Sequence, residues 1–316
     1  MHNTLYRDFN TYLRSLFGCR VQKITLDAGL SCPNRDGSVS TGGCVYCNAR
    51  GSGTGAGAGG LSIPDQIERG KRRLGRRYKA RKFLAYFQSY SNTYAPLPVL
   101  REIYRQALQD RDVVGLSIGT RPDCVPDPVL DHLRGLARDS LVWMEYGLQS
   151  ASDRTLGLIN RGHDVRCFSD AVRRTRERGL PVCAHVILGL PGEGLRDTSE
   201  TADFLAGLQI DAVKLHLQYV VRDTVLHSWY EQGRYRCLER AEYAEMAGEF
   251  LSRLPPRTIV QRITADPHPD ELIAPGWALE KHKNMQAVLD AMRNRGLYQG
   301  KKYGRASSGG PGLDTA

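Results

Sequence analysis

Short apolar runs alternate along this chain with longer amphipathic stretches. The short runs are rich in branched and aromatic residues, which is typical of buried strands, and the longer stretches have the spacing of helices with one apolar face. The predicted strands are Val21–Leu26, Lys82–Phe87, Val113–Ile118, Val142–Leu148, Val182–Leu188 and Ala212–Leu217, with a weaker candidate at Thr258–Gln261. The predicted helices are Ile63–Leu74, Pro98–Gln109, Asp127–Leu136, Asp153–Leu158, Val165–Arg178, Arg196–Ala206 and Arg240–Arg253.

This alternation of strands and helices predicts an α/β fold. Repeated strand–helix–strand units favour a parallel sheet, and six of them fit an incomplete barrel better than a doubly wound sheet. No G-x-G-x-x-G segment follows the first strand, so a dinucleotide-binding fold is disfavoured. We therefore expect a partial (β/α)6 TIM-type barrel with a small C-terminal α/β extension. In such barrels the chemistry lies at the C-terminal ends of the strands.

Length and composition are those of one large domain that can enclose a pocket. The chain has 316 residues, of which 41% are hydrophobic. Apolar runs such as Val182–Leu190 are much shorter than the roughly 20 residues that span a membrane, and the N-terminus lacks a signal-peptide pattern. We expect a cytoplasmic protein without a membrane partner. Gly51–Gly60 is predicted to be a flexible loop, and the tail after Tyr303 to be disordered.

The basic residues are concentrated in one segment. The net charge is +10, and nine basic residues and no acidic one lie between Arg69 and Lys82. Such a segment attracts a polyanion through counterion release, although a solvated helix face has the same composition. The charge pattern is therefore compatible with a nucleic-acid partner without requiring one.

Three of the eight cysteines are clustered. They follow the first strand with the spacing Cys32-x11-Cys44-x2-Cys47, and Gly42-Gly43 permits a tight turn before the second of them. Three thiolates suit a zinc site that takes a distant fourth ligand. They also suit an iron–sulfur cubane in which one iron has no protein ligand. The other five cysteines are scattered singly, and a disulfide framework is disfavoured in a reducing compartment.

With Tyr46 before the last cysteine, this cluster resembles the signature of the radical S-adenosylmethionine (SAM) enzymes. Its first gap is wider than usual, as in the branch related to the radical domain of the Elongator catalytic subunit. The other matching segments are GTRPDC (119–124), MEYGLQS (144–150), LINRGHD (158–164), HVILGLPGE (185–193), LPPRTIVQRITAD (254–266), YFQSYSNTYAP (86–96) and LIAPGWALEKHK (272–283). The resemblance is closest to the bacterial YhcC-like family and extends from about Leu5 to Tyr303.

The resemblance implies two cofactors and a reductant. Cys32, Cys44 and Cys47 would bind a [4Fe–4S] cluster whose open iron is chelated by SAM. An electron from a donor such as flavodoxin or ferredoxin would then cleave SAM to a 5′-deoxyadenosyl radical. The resemblance also implies a radical SAM barrel core at residues 1–230, an extension packed on it at 231–303 and a disordered tail at 304–316.

The same resemblance implies which residues contact SAM. Tyr46 is expected near the adenine, and the Gln149 amide on the ribose hydroxyls. Arg161 would bind the SAM carboxylate, unless it only caps a helix or forms a surface ion pair. His185 would contact SAM or lie as a satisfied histidine in the core. Gly189 and Pro191 would form a turn that lets the adenine approach the backbone.

Other polar residues near the strand ends have open roles. Many radical SAM enzymes have Gly-Gly-Glu after the second strand for the SAM amine, but this chain has Gln88–Asn92 there, so the contact to the amine is undetermined. Arg121 and Asp123 either hold substrate or brace the barrel by an ion pair.

Two residues of the sixth strand are candidates for the barrel lumen. Lys214 and His216 alternate in that strand and therefore point to one face. Lys214 is expected either to serve the site or to pair with Glu145.

The Elongator relationship implies a substrate. It suggests a radical reaction on the C5 side chain of the wobble uridine of transfer RNA (tRNA), such as remodelling of a carboxymethylaminomethyl group. One alternative is a radical SAM enzyme that acts on a small molecule or a protein. Another, of a different class, is a non-catalytic iron–sulfur or zinc protein.

Overall fold

A computed structural model describes residues 5–51 and 60–304 of the chain. Apart from its two end residues, the loop predicted at Gly51–Gly60 lies outside the described residues, as does the predicted tail from residue 305 onward. The helices are α1 Phe9–Phe17, α2 Ile63–Tyr78, α3 Leu97–Leu108, α4 Asp127–Leu136, α5 Asp153–Leu158, α6 Val165–Glu177, α7 Leu195–Gly207, α8 Val225–Glu231, α9 Arg240–Arg253 and α10 Lys281–Asn294. The strands are β1 Val21–Leu26, β2 Lys82–Phe87, β3 Val113–Thr120, β4 Leu141–Gln149, β5 Val182–Leu188, β6 Ala212–Leu217, β7 Val220–Val221, β8 Ile259–Arg262 and β9 Leu272–Ala274.

Seven strands form one parallel sheet in the order β1-β2-β3-β4-β5-β6-β8. The sheet curls into a half-barrel with helices packed around it, which confirms the predicted partial barrel. The weak strand candidate becomes β8, whose Val260 pairs with Val213 of β6 as the seventh strand. Strands β7 and β9 form a separate antiparallel pair.

Three helices have no counterpart in the sequence prediction, namely α1, α8 and α10. The first is only nine residues long, and Asp8 begins it by accepting a hydrogen bond from the Thr11 amide at 2.9 Å. Its charged and aromatic residues hide a narrow apolar stripe in which Phe9 and Leu13 are buried.

That stripe closes the base of the barrel. It packs on side chains from the first residues of the strands, and the Phe9 ring meets the Trp143 ring edge to face at 5.9 Å. The apolar layer consists of Phe9, Leu13, Val21, Leu84, Trp143, Cys183, Ala212 and Ile259. Water is thereby excluded from the N-terminal end of the barrel interior.

A polar layer lies directly above the apolar one. Since side chains alternate along a strand, residues two positions further along each strand point to the same interior. The members of this layer are Lys23, Tyr86, Ser117, Glu145, His185, Lys214 and Gln261. The barrel therefore buries ionisable groups between an apolar base and its open C-terminal end.

Residues after the sixth strand also contribute to the barrel. Helix α9 packs against α7 and α10, and the Gln299 side chain accepts a hydrogen bond from the Arg7 amide at 2.8 Å. The boundary predicted at residue 230 stays a prediction. Among the described helices, none combines the length and the apolar character that crossing a membrane requires.

Candidate functional site

A cavity of about 580 Å³ opens at the C-terminal ends of the strands. It is large enough for a small-molecule ligand. Its lining includes predicted site residues from four separate chain segments, namely Cys32, Cys44, Tyr46, Cys47, Gln149, Arg161 and His185. Gly189 and Pro191 are not among the described residues that line it. The turn lies close by, because Gly189 adopts φ +87° beside Gln218, which does line the cavity.

The cysteine loop is folded by its own backbone. Gly42 and Gly43 adopt φ of +81° and +80°, as the predicted tight turn requires. The Cys47 amide then donates to the Cys44 carbonyl at 2.9 Å, which places the last two cysteines in one turn. At the other end of the loop the Arg35 amide donates to the Cys32 carbonyl at 2.8 Å.

Two side chains that the sequence analysis did not select anchor this loop. The Arg35 guanidinium donates to the Cys47 carbonyl at 2.8 Å and also to the Asn48 carbonyl. The Asn160 amide donates to the Gly43 carbonyl at 2.9 Å and ties the loop to the end of α5. Their partners are backbone carbonyls, so the sequence offers no signal that would have identified them.

The three sulfur atoms lie on one cavity without forming a preset site for a single metal ion. Among the described residues, Cys32, Cys44 and Cys47 do not form a group whose ligand atoms all lie within 4.8 Å of one another. All three line the same cavity. Three thiolates on one cavity suit an iron–sulfur cubane in which one iron has no protein ligand.

Arg161 places a buried positive charge beside this cluster of thiols. Its guanidinium donates to the Gly147 carbonyl at 2.7 Å, and Nη1 lies 3.7 Å from the Cys44 Sγ. Burial alone lowers the pKa of Arg161, but the neighbouring Cys44 and Tyr46 outweigh it, and the net pKa is raised. A permanent cation in the cavity wall can bind a carboxylate with a pair of charge-assisted hydrogen bonds.

Gln149 reaches the cavity through an irregularity in its strand. Its φ is +76°, and the pairing of β4 with β5 shifts register between Gly147 and Gln149. Bulges of this kind redirect a side chain, and they are common next to active sites. The amide of Gln149 thereby faces the same space as the guanidinium of Arg161.

For the SAM site that the resemblance implies, we expect a Gly147→Ala substitution to weaken SAM binding by about tenfold or more, the loss of one charged hydrogen-bonded contact. A methyl group at this position would lie 2.5 Å from Arg161 Nη2 and 2.6 Å from Gln149 Nε2, so both side chains must move. Equilibrium dialysis with labelled SAM on the reconstituted protein measures the effect. The matched control is Gly135→Ala in α4, where an added methyl group meets no atom within 4 Å. Equal SAM affinity in both variants would contradict this geometry.

His185 lies in the polar layer and also lines the cavity. Its Nε2 is 2.7 Å from Glu145 Oε2. Burial, helped by the charge of Lys214, lowers the pKa of His185 to about 4, so the ring is neutral at pH 7. Nε2 therefore donates its proton to Glu145. Of the two roles expected for this histidine, its hydrogen bond favours that of a satisfied interior residue.

Glu145 is the centre of the polar layer. It is fully buried and accepts hydrogen bonds from Lys23, Ser117, His185 and Lys214. Burial alone raises the pKa of Glu145, but Lys214, Lys23 and His185 outweigh it and hold the pKa well below its usual value. The pairing of Lys214 with Glu145 is one of the two alternatives that the sequence left open. Lys23 was missed, although a lysine at an inward position of a buried strand is a signal.

Arg121 and Asp123 form an internal ion pair. Arg121 is 2% exposed and makes two hydrogen bonds to Asp123, at 2.9 and 2.7 Å. Its Nη1 donates to the Arg161 carbonyl at 2.7 Å. The geometry supports the bracing role, because the pair fixes the backbone that carries Arg161.

The segment Gln88–Asn92 borders the cavity where the common family pattern has Gly-Gly-Glu. Tyr90 adopts φ +60°, its amide donates to the Gly51 carbonyl at 3.2 Å, and its hydroxyl donates to the Ala49 carbonyl. The Ser91 amide donates to the Ser31 carbonyl at 3.2 Å. The segment thus bridges both sides of the cysteine loop, and its backbone lies at the cavity wall.

The basic segment covers the exposed face of the C-terminal part of α2 and continues beyond the end of that helix to Lys82. Arg73 and Arg77 line the cavity mouth and have no carboxylate partner within 4.0 Å in the part of the chain that the structure describes. By contrast, Lys71 is held by Asp110 at 2.8 Å and by Asp112 at 2.9 Å. The mouth of the cavity therefore has a positive rim.

Comparison with known proteins identifies relatives over nearly the whole chain. The model of the Radical SAM superfamily matches residues 37–205, and that of the Radical_SAM C-terminal domain matches residues 210–294. YtqA of Bacillus subtilis (strain 168) is 41% identical over 300 residues, 95% of this chain and 93% of its own. YhcC of Escherichia coli (strain K12) is 40% identical over 298 residues, 94% of this chain and 95% of its own.

More distant similarity extends to Elongator proteins. Elongator complex protein 3 of Homo sapiens is 29% identical over 189 residues, which are 58% of this chain and 33% of the human protein. The solved structure of Elp3 from the archaeon Methanocaldococcus infernus, with residues 1–46 deleted, has a TM-score of 0.65 at 18% identity. The match covers 88% of this chain and 64% of that one. At that identity the structural likeness concerns the fold.

Proposed function

This chain belongs to the radical SAM superfamily and, within it, to the YhcC-like family, and from this premise we propose that it modifies the C5 side chain of a wobble uridine in tRNA. The cofactors of the family are a [4Fe–4S] cluster and SAM. When bound, they supply a 5′-deoxyadenosyl radical that removes a hydrogen atom from the substrate. A reductant must also be supplied.

We assign the cluster to Cys32, Cys44 and Cys47. Two observations support this assignment: the three thiols line one cavity, and a buried guanidinium lies 3.7 Å from the sulfur of Cys44. Three ligands leave one iron of a cubane for a small molecule. The donor set therefore fits the cofactor.

The remaining residues would orient SAM beside the cluster. The guanidinium of Arg161 is placed to bind the SAM carboxylate, and the amide of Gln149 lies within the same space for the ribose hydroxyls. Tyr46 is half-buried and packs against two apolar clusters, one that contains Val45 and one that contains Leu226, so its ring is a rigid wall for an adenine. Together these groups exclude water from the place where a radical would form.

The observation that favours RNA is the positive rim of the cavity. Arg73 and Arg77 are exposed, lie at the mouth and lack carboxylate partners among the residues described. A phosphate backbone bound there would release counterions while a nucleotide enters the cavity. A flipped nucleotide is the usual form in which enzymes reach a base. The Elongator similarity supports the same substrate class.

The tRNA nucleosides of cells with and without the gene test this proposal. We expect the deletion to change the abundance of one C5-substituted uridine, measured by mass spectrometry of digested tRNA. A plasmid copy should restore it, and a Cys47→Ala copy should not. An identical profile in both strains would overturn the RNA substrate and leave a small molecule or a protein as the substrate.

Charge reversal at the rim should weaken RNA binding. We expect the double substitution Arg73→Glu and Arg77→Glu to lower tRNA affinity about 10- to 100-fold at moderate salt. The slope of log affinity against log salt concentration should also fall by about one for each lost phosphate contact. Filter binding over a salt series measures both. Arg293→Glu, on the exposed face of α10, is the matched control. An unchanged salt slope in the double variant would place the RNA elsewhere.

A further inference from the structure

The sulfur of Cys44 is surrounded by nitrogen donors in the interior of the protein. Cys44 is buried, whereas Cys32 and Cys47 are partly exposed. Two nitrogen atoms approach its Sγ, Nδ2 of Asn34 and Nη1 of Arg161, each at 3.7 Å. N–H groups directed at a sulfur ligand are one means by which a protein sets the reduction potential of an iron–sulfur cluster.

The side-chain amide of Asn34 presents its nitrogen, and not its oxygen, to Cys44. Nδ2 also donates to the Asn160 carbonyl at 2.6 Å, and a carbonyl oxygen only accepts hydrogen bonds. The reversed amide would set Oδ1 against that carbonyl, which is repulsive. One N–H of the amide therefore binds the carbonyl, and the other is left for the sulfur.

The cysteine loop holds Asn34 in place behind the cavity wall. Its own carbonyl accepts a hydrogen bond at 2.8 Å from the amide of Gly43, the residue before Cys44. Asn34 is 0% exposed and lies outside the cavity lining. Gly162 leaves room for the amide, because a methyl group there would lie 2.5 Å from Asn34 Oδ1. A ligand in the cavity therefore does not compete for this donor.

Arg161, the other donor to this sulfur, is shared with the cavity. It lines the cavity wall, where its guanidinium is placed for the carboxylate of SAM. Its hydrogen bonds therefore change when a ligand arrives, whereas those of Asn34 stay the same. The Cys44 sulfur thus receives one donor that responds to the ligand and one that is constant.

Burial strengthens the effect of such a donor on an electron-transfer centre. Reduction adds one negative charge, which the cluster shares with its sulfur ligands. An N–H directed at one of these sulfurs stabilises the added charge, and it does so more strongly where little water screens the interaction. A cluster with this donor is therefore easier to reduce than the same cluster without it.

We propose that Asn34 is a positioning residue that raises the reduction potential of the cluster through the sulfur of Cys44. Without its N–H the cluster is harder to reduce, so an electron donor loads it less completely. This inference rests on the cluster assignment under the proposed function, and it does not depend on which substrate the enzyme takes.

A redox titration of the reconstituted protein, followed by electron paramagnetic resonance, tests the proposal. Asn34→Leu keeps the volume of the side chain and removes its N–H groups. Its midpoint potential should become more negative, and the ratio of reduced to oxidised cluster at a fixed potential should fall about two- to tenfold, as for the loss of one hydrogen bond. Asn34→Ala should shift the potential in the same direction.

Asn160→Gly is the matched control for a loosened loop. It removes the side chain that anchors the loop at the Gly43 carbonyl, and it leaves the Asn34 amide in place. The backbone of Asn160 has φ +52°, which glycine adopts without strain. The potential of this variant should equal that of the wild type.

Each outcome supports or overturns the proposal. An Asn34→Leu protein with the iron content and the potential of the wild type would overturn it, and Asn34→Ala decides in the same way if the leucine variant takes up no iron. Failure of both variants to take up iron would make Asn34 a structural residue and overturn the proposal, as would an equal shift in Asn160→Gly. A wild-type protein without iron would overturn the cluster assignment itself. A shifted potential together with unchanged cellular tRNA would support the role of Asn34 and overturn only the RNA substrate.

Discussion

Replacing Cys44 with alanine should reduce the cleavage of SAM to background. The Cys44 sulfur is buried in the cavity wall, with the Asn34 amide and the Arg161 guanidinium each 3.7 Å away. Both donors can hydrogen-bond a sulfur ligand there, and the described part of the loop holds no thiol besides the three assigned ones. Loss of one of three ligands should release the cluster. Iron and sulfide analysis, electron paramagnetic resonance of the reduced protein and 5′-deoxyadenosine formation measure the effect.

The matched control for this experiment is Cys19→Ser. Cys19 is a free, half-buried thiol before β1 and outside the cavity lining, so its replacement should leave iron content and SAM cleavage unchanged. A Cys44→Ala protein that keeps its iron and still forms 5′-deoxyadenosine would contradict the assignment of the ligands. Zinc in place of iron in the wild-type protein purified without oxygen would contradict it as well.

Replacing Glu145 with leucine should destabilise the fold by about 3–5 kcal/mol, the usual cost of removing one partner of a buried ion pair. The substitution leaves the amines of Lys23 and Lys214 without their carboxylate in an interior that is closed below by an apolar layer. Urea unfolding monitored by circular dichroism measures the change. Glu102→Gln, which breaks an exposed pair with Arg105, should leave the stability nearly unchanged, because solvent screens that pair. A second substitution, Lys214→Met, should restore part of the stability of Glu145→Leu.

The polar layer around Glu145 also makes the stability of the fold depend on pH. The pKa of Glu145 is lowered in the folded state, so its contribution is present above its usual value of 4.5 and is lost as the pH falls below it. The pKa of His185 is also lowered, from 6.5 to about 4, so the unfolded chain binds the extra proton between these values. Stability should therefore fall as the pH drops below 6.5. A Glu145→Leu protein that shows the same acid dependence as the wild type would contradict the assignment.

The sequence determined the barrel strands closely because each one is a compact apolar run. Strands β1, β2, β5 and β6 have the predicted bounds, β3 extends by two residues at its C-terminal end, and β4 extends by one residue at each end. The extra C-terminal residues, Gly119, Thr120 and Gln149, lie at the cavity, where function rather than core packing selects the side chain. Helix α1 escaped prediction because its nine residues bury only a narrow stripe.

The predicted site residues were found through local motifs, and the missed ones act over long distances. Arg161 and Gln149 lie in segments with a recognisable spacing, and both face the cavity. Lys23 and Glu145 are 122 residues apart, and only the closed sheet brings them together. Arg35 binds backbone carbonyls, which every residue has, so its partners could not be identified from residue type. A long-range pair of this kind becomes visible only when the strand order is known.

The apolar layer beneath Glu145 also determines from which end a ligand reaches the barrel interior. Phe9, Leu13 and Trp143 close the base of the barrel, and the cavity opens at the opposite end, where the cysteines and the basic rim lie. A ligand bound deep in the cavity must therefore enter and leave past the cysteines and the basic rim.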